Sequence, residues 1–376
     1  MRLLYVTDAI TIWGGLERIL VEKMNFFAEE YDYEVFLITA NQGDFPVPYP
    51  LSPKVHFCDL GIFTYSEYRY RGLKRFWVKY KLSRLFKGKL HNEIEKISPD
   101  VLLCVRLDLV GLLLKVKGCV PLVFEAHTLF DISVNGISFY DKMKQYYYNR
   151  KVKDVDMVVS LSEGDAARWK RVSNNISVIS NMVHLNPLDS YSDCMSKKAI
   201  FVGRLSIQKD VTSLVKIWTL VNCRYPEWEL HMYCGYGGEE SLQICNIEKS
   251  NANIILHEPT AHILDAYRSC SMLLLTSLYE PFGLVMPEAM SCGIPVVAFD
   301  CPYGPKDIIT DGVDGFLIRN RDLSVFVDRV CQLIEDHGLR KKMGKAAIIS
   351  SQRFDSYKIM PKWKHLFEQL NINSKY

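Results

Sequence analysis

Apolar and polar positions follow one rhythm along this chain. A short apolar run gives way to a polar turn, and then to a longer segment with apolar positions three and four apart. Runs of the first kind read as strands buried on both faces and the longer segments as covering helices, so the pattern predicts parallel sheets in an α/β fold. In the first half the candidate strands are 3–7, 34–39, 101–105, 121–125 and 157–161. A second series occupies 198–202, 229–233, 253–256, 272–276 and 295–299.

Both series open with a strand, a glycine-containing turn and an amphipathic helix, LLYVTDAITIWGGLERIL in one and AIFVGRLSIQKDVTSLVKIW in the other. Two Rossmann-like domains explain the restart. The expected organisation is an N-terminal domain 1–184, a linker 185–197 rich in Asn, Pro, Asp and Ser, a C-terminal domain 198–360, and a helix 361–376 returning to the first domain. Open α/β sheets bind ligands beyond the carboxyl ends of their strands, so the site is expected on post-strand loops facing a central cleft.

Length and composition agree with this reading. At 376 residues the chain exceeds what one core serves, given about 150 residues per domain. Its 48% hydrophobic and 24% charged residues are ordinary for a globular protein. A net charge of +3 is too balanced for a surface devoted to nucleic acid, which is excluded as a partner. Eleven cysteines without zinc-ligand spacing read as reduced, mostly buried thiols of a cytoplasmic protein. The N-terminal apolar run breaks at Asp8 and reads as a first buried strand rather than a leader; no run reaches the ~18 apolar residues of a spanning helix.

Candidate chemistry lies at the turns. Gly14 and Gly15 precede the first helix, where bare backbone N–H groups can approach a phosphate or a sugar. Arg204 and Lys209 bracket the corresponding turn of the second half, two cations suited to a diphosphate. In SLYEPFGLVMPEAMSCG, Glu280 follows a strand and Glu288 lies on the next short helix. A carboxylate accepts from vicinal sugar hydroxyls, and the N–H groups of Phe282, Gly283 and Leu284 can donate to oxygens of the same ligand. His127, in VFEAHT, is a lone imidazole at the end of a strand. Asp154 and Asp156 match a loose metal pattern but sit where a helix-to-strand turn needs polar residues, so no metal or other cofactor is expected.

Gly14-Gly15 with Glu17 and Arg18, VFEAHT, GRLSIQK, the Glu280–Glu288 spacing and CPYGPKDIITDGVDGFLI together resemble the glycosyltransferase family 4 enzymes. The resemblance spans nearly the whole chain and implies a GT-B fold and a retaining hexosyl or N-acetylhexosaminyl transfer from a nucleotide sugar, UDP-linked by preference. It implies that Arg204 and Lys209 hold the diphosphate, Glu288 the ribose and Glu280 the donor sugar. Gly14 and Gly15 would close over the diphosphate, and His127 would lie near the reacting centre. Asp210 departs from the Gly or Asn common in relatives and adds a negative charge beside this site. An epimerase or phosphorylase on the same fold, or a sugar-nucleotide-binding scaffold, are the alternatives.

Between 65 and 89, nine cations interleave with aromatic residues, and Leu73, Phe76, Trp77 and Tyr80 recur at helical spacing. Arg71, Lys74, Arg75, Trp77 and Lys79 are the candidate contacts to an anionic membrane on its cytoplasmic side, where the acceptor would be a glycan or lipid-linked glycan of surface polysaccharide or lipopolysaccharide synthesis. The competing reading is a domain helix whose stripe packs inward.

Overall fold

The structure, a computed structural model, describes residues 1–130, 139–183, 185, 190–235, 247, 252–260 and 262–373. The chain divides into two compact units, Met1–Ile179 with Met360–Tyr376, and Ser180–Ile359.

The first unit holds seven strands: β1 (Arg2–Thr7), β2 (Glu34–Thr39), β3 (Val55–Asp59), β4 (Val101–Cys104), β5 (Leu122–Ala126), β6 (Met157–Ser160) and β7 (Ile176–Val178). All pair in parallel in the order β3-β2-β1-β4-β5-β6-β7, the doubly wound arrangement in which the chain reverses direction beside β1. On one face Leu4, Val6, Leu102, Phe124 and Val158 pack against α2 (Gly72–Ile97), α3 (Leu107–Leu113), α4 (Phe139–Lys151) and α5 (Glu163–Trp169). The opposite face carries Tyr5 and Glu125 and is approached by α1 (Gly15–Glu29). The C-terminal helix Ser356–Asn373 joins α1 there, with Phe27 and Phe367 ring centroids 5.4 Å apart.

The second unit repeats the plan with six parallel strands: β8 (Lys198–Arg204), β9 (Glu229–Gly235), β10 (Ile254–His257), β11 (Met272–Leu275), β12 (Val296–Phe299) and β13 (Gly315–Ile318). Their order is β10-β9-β8-β11-β12-β13. Strand β8 leads through a 3-10 turn, Ile207–Lys209, into α6 (Val211–Arg224).

Three strands lie outside the predicted series, for separate reasons. Edge strand β3 alternates polar residues and is largely exposed, β7 has only three residues, and β13 is a short run emerging from a turn. Described residues of the segment 185–197 are tied to the second unit. Among its described residues, Ser192 donates its N–H to the Cys292 carbonyl (2.9 Å), and the Cys194 carbonyl accepts from Arg340 Nε and Nη2 (3.0 and 2.9 Å). Asp156 serves its turn, accepting from Leu122 N–H at 2.8 Å and Lys117 Nζ at 3.0 Å. The described cysteines are all free; Cys58, Cys119 and Cys223 are exposed, and burial pushes the Cys104 and Cys234 thiols up to about 12.

Candidate functional site

In the second unit four loop ends converge. Arg204 ends strand β8 itself, rather than starting the turn, and is exposed. Gly203 beneath it makes room for Lys209, because a Cβ at 203 would lie 3.2 Å from Lys209 Cε. Lys209 Nζ reaches Glu280 Oε1 at 2.5 Å, and that same oxygen accepts from the Ser277 hydroxyl at 2.6 Å. Two residues predicted to hold different parts of one ligand therefore hold each other. Burial, and then the Glu280 charge, raise the neighbouring Tyr279 phenol above its usual range.

The loops bearing this pair are stitched together by backbone. Leu278 donates its N–H to the Gln208 carbonyl at 2.7 Å, and the Thr276 hydroxyl donates to the carbonyls of Lys209 and Asp210 at 3.0 and 3.1 Å. Asp210 has φ +43, the left-handed region that Gly and Asn occupy most readily. Its carboxylate is turned away from Lys209: it caps α6 at Ser213 N–H (3.2 Å) and pairs with Arg321. Arg321 also donates to the carbonyls of Ser277 (2.8 Å) and Thr276 (3.0 Å), so the extra negative charge is matched by a clamp across both loops.

Glu288 lies on the short helix Val285–Ser291, 3% exposed, and accepts from the Tyr267 hydroxyl at 3.2 Å. Phe282 is buried beside Phe354, Gly283 has φ +90, and Leu284 precedes the helix. Among the described residues no hydrogen bond takes up the N–H groups of these three. Glu280, for its part, is fixed by backbone: its N–H donates to the Pro302 carbonyl (2.7 Å), and its carbonyl accepts from Tyr303 and Gly304 (both 2.9 Å).

In the first unit, Gly14 is the N-cap of α1 and Gly15 its first residue. The Gly14 carbonyl accepts from the Tyr49 hydroxyl at 3.2 Å, and the Tyr49 ring meets Trp13 edge-on at 5.0 Å. His127 follows β5 with its side chain 7% exposed, its Nε2 being 2.8 Å from Glu125 Oε1. Glu125 is wholly buried and paired with Lys23, also buried, whose ammonium stands 4.5 Å from the Trp363 ring centroid. Burial alone would raise the Glu125 carboxyl, but Lys23 and then His127 outweigh it and hold it at about 2. Burial pulls the Lys23 ammonium down, and Glu125 offsets part of that.

Sequence reasoning missed Lys23, Glu125, Tyr267, Ser277 and Arg321. Signals existed for two. Lys23 falls on the apolar stripe of α1 between Leu20 and Phe27, and Glu125 interrupts an otherwise apolar strand. The basic stretch does form a helix, and only its C-terminal half packs inward, through Phe86, Leu90, Ile94 and Ile97. Leu73, Phe76, Trp77 and Tyr80 are 82%, 65%, 65% and 54% exposed, against the reading that the stripe is core. Of the cations singled out, Arg75 and Lys79 lie 3.2 and 4.0 Å from Glu67, and Lys74 stacks on Tyr70.

Two family comparisons cover this architecture half by half. The family described as Glycosyltransferase Family 4 matches residues 13–186, and Glycosyl transferases group 1 matches 191–349. The chain is a glycosyltransferase. It is 26% identical over 379 residues to the amylovoran biosynthesis glycosyltransferase AmsD of Erwinia amylovora, covering 97% of this chain and 99% of AmsD. Among solved structures it is similar to TarM of S. aureus (TM-score 0.79, 15% identity, 97% and 99% of the two chains) and to HepE of Anabaena (0.76, 19%, 98% and 100%). These likenesses show the fold, which is GT-B. In this glycosyltransferase no helix among the described residues is long and apolar enough to cross a membrane.

Proposed function

We propose that this glycosyltransferase moves a hexose or N-acetylhexosamine from a nucleotide sugar, a UDP-sugar by preference, to a glycan or lipid-linked acceptor of surface polysaccharide or lipopolysaccharide synthesis, retaining the anomeric configuration. The observation that carries the reading is the Lys209–Glu280 pair on stitched loops beside Arg204. A lysine with 15% of its side chain exposed can exchange one anionic partner for another. A donor diphosphate would take Lys209, with Arg204 beside it, and leave the Glu280 carboxylate to accept from the sugar. Glu288, oriented by Tyr267, takes the ribose hydroxyls, and the N–H groups of Phe282, Gly283 and Leu284 face donor oxygens. Gly14, Gly15 and His127 keep the phosphate and sugar contacts that the resemblance assigns. The relatives support the donor class: TarM was solved with UDP, and HepE with UDP and glucose.

The step balances without a protein nucleophile. The bond from C1 to the diphosphate oxygen breaks with its electron pair on the leaving group, and the acceptor oxygen bonds C1 on the same face. The departing phosphate takes the acceptor proton. Lys209 and Arg204 stabilise the charge that develops, so the reading requires no metal.

The acceptor is reached from an anionic membrane on its cytoplasmic side. The exposed stripe of α2 and its flanking cations support this, each cation contributing about 1 kcal/mol near such a surface. The test is incubation with UDP-hexoses, UDP-N-acetylhexosamines and lipid-linked glycan acceptors, reading UDP release and the anomeric configuration of the product by NMR. The expected product retains the donor's configuration, whereas inversion, or untouched donor throughout the panel, would overturn the proposal.

A further inference from the structure

Arg321 occupies a backbone conformation that its side chain does not favour. It and Asn320 both have φ +54, and Asp210, with which it pairs, has φ +43. Glycine enters this left-handed region without strain, whereas arginine does not. Such strain persists only where the surroundings over-determine it, and it collects at functional sites. The surroundings of Arg321 are specific. Its guanidinium lies over the Phe299 ring, 4.4 Å from the centroid. It donates through Nη1 to the Ser277 carbonyl (2.8 Å), and through Nη2 to the Thr276 carbonyl (3.0 Å) and to Asp210 Oδ2. Asp210 uses the same carboxylate to hold the start of α6, accepting from the Ser213 N–H at 3.2 Å and the Ser213 hydroxyl at 2.7 Å.

The two residues whose carbonyls Arg321 holds each reach one member of the Lys209–Glu280 pair. The Thr276 hydroxyl donates to the carbonyls of Lys209 and Asp210 at 3.0 and 3.1 Å, and the Ser277 hydroxyl donates to Glu280 Oε1 at 2.6 Å. We propose that Arg321, anchored by Asp210, is a positioning residue for Lys209: its planar fork fixes the loop that carries Lys209 against the loop that leads to Glu280, and so sets where the Lys209 ammonium stands. A lysine ammonium is a point charge on a flexible four-carbon stem, so the placement of its backbone decides which partner it reaches. The fork matters as much as the charge. A lysine at 321 would still attract Asp210, but it would offer a single point where the guanidinium serves one carboxylate and two carbonyls together. What Lys209 does in this place rests on the proposed transfer reaction, whereas where it stands rests on these contacts alone.

Two readouts separate positioning from plain stability, and one of them needs no turnover. In a ligand-free crystal structure of folded R321A, the Lys209 ammonium is expected to stand about 1 Å or more from its wild-type place beside Glu280. With a nucleotide sugar and an acceptor that the wild type turns over, R321A and R321K are each expected to lower kcat about tenfold or more while donor KM stays within about threefold. Because the effect passes through Lys209, R321A in the K209A background is expected to cost less than about threefold further. A folded R321A with full turnover, or a loss that multiplies with that of K209A, would overturn the proposal, as would a Lys209–Glu280 pair unmoved in the R321A crystal. A displaced pair in a protein that transfers no sugar would instead sink the reaction reading and leave the positioning standing. Where R321A does not fold, the R321K crystal and the R321K/K209A comparison carry the same outcomes.

Discussion

The same two residue types meet in both units, Lys209 with Glu280 in the second and Lys23 with Glu125 in the first, yet their surroundings are opposite. Side chains of the former pair are 15% and 4% exposed and sit on loops past strand ends. The latter are 1% and 0% exposed, between a helix and the middle of a sheet. Coulomb attraction is screened where water enters and strong where it does not, but the desolvation cost grows in the same direction. The accessible pair can therefore trade partners with an anionic ligand, whereas the enclosed pair can only hold its neighbours in place.

The largest expected effect breaks the enclosed pair. Glu125→Gln or Lys23→Met alone leaves one buried ion uncompensated and should cost about 3–5 kcal/mol in urea unfolding, while K23M/E125Q should recover most of it. Should both single variants lose less than about 1 kcal/mol, the pair would not be the enclosed ion pair described. Acid sharpens the same point. The folded Glu125 carboxyl stands at about 2, below its ordinary 4.5, so its stabilisation is fully present above 4.5 and is lost as pH falls through about 2. A wild-type stability curve should thus fall more steeply between those values than that of K23M/E125Q.

Next in size is the accessible pair. Lys209→Ala should depress turnover ~100-fold or more by removing charge stabilisation at the leaving group, with a smaller stability loss than the single variants of the enclosed pair. If the two pairs cost the same in stability and in turnover, the contrast between them would disappear. Glu288→Ala should weaken donor binding about tenfold to hundredfold in calorimetry, since a buried carboxylate hydrogen-bonded to hydroxyls contributes about 1.5–3 kcal/mol. Smallest per residue are the α2 cations. Replacing Arg71, Lys74, Arg75 and Lys79 should lower binding to anionic liposomes, by about 1 kcal/mol per cation and less for Arg75 and Lys79, which already face Glu67. The wild-type interaction should weaken with salt, and equal binding by variant and parent would remove the membrane contact from the account.

Much of this was legible in the sequence, because buried parallel strands and amphipathic helices carry strong periodic signals. Ten of the strands lie where apolar runs fall, and the Glu280–Glu288 spacing places one carboxylate on a loop and the other on a helix as expected. What escaped was set by three-dimensional pairing. Nothing local to Lys209 says that its partner is Glu280, and the compensation of Asp210 by Arg321 joins residues far apart in the chain. The exposed strand β3 escaped because a half-solvated edge shows no apolar run. Helix α2 was legible as a helix, but only packing reveals that its stripe stays outside from Leu73 to Tyr80 and turns inward from Phe86.

The most direct test of the central claim is thermal unfolding of the purified protein with UDP-, GDP- and ADP-sugars, each with and without EDTA, for the wild type and for Lys209→Ala/Glu288→Ala. A ligand bound only by the folded state at ~100 times its Kd adds about 2.7 kcal/mol, which at roughly 2–4 °C per kcal/mol raises Tm by about 5 °C or more. The account predicts such a rise for one nucleotide family, preferably UDP-sugars, unaffected by EDTA and lost in the double variant. No rise with any nucleotide sugar in the folded wild type, or an equal rise in the double variant, would contradict it.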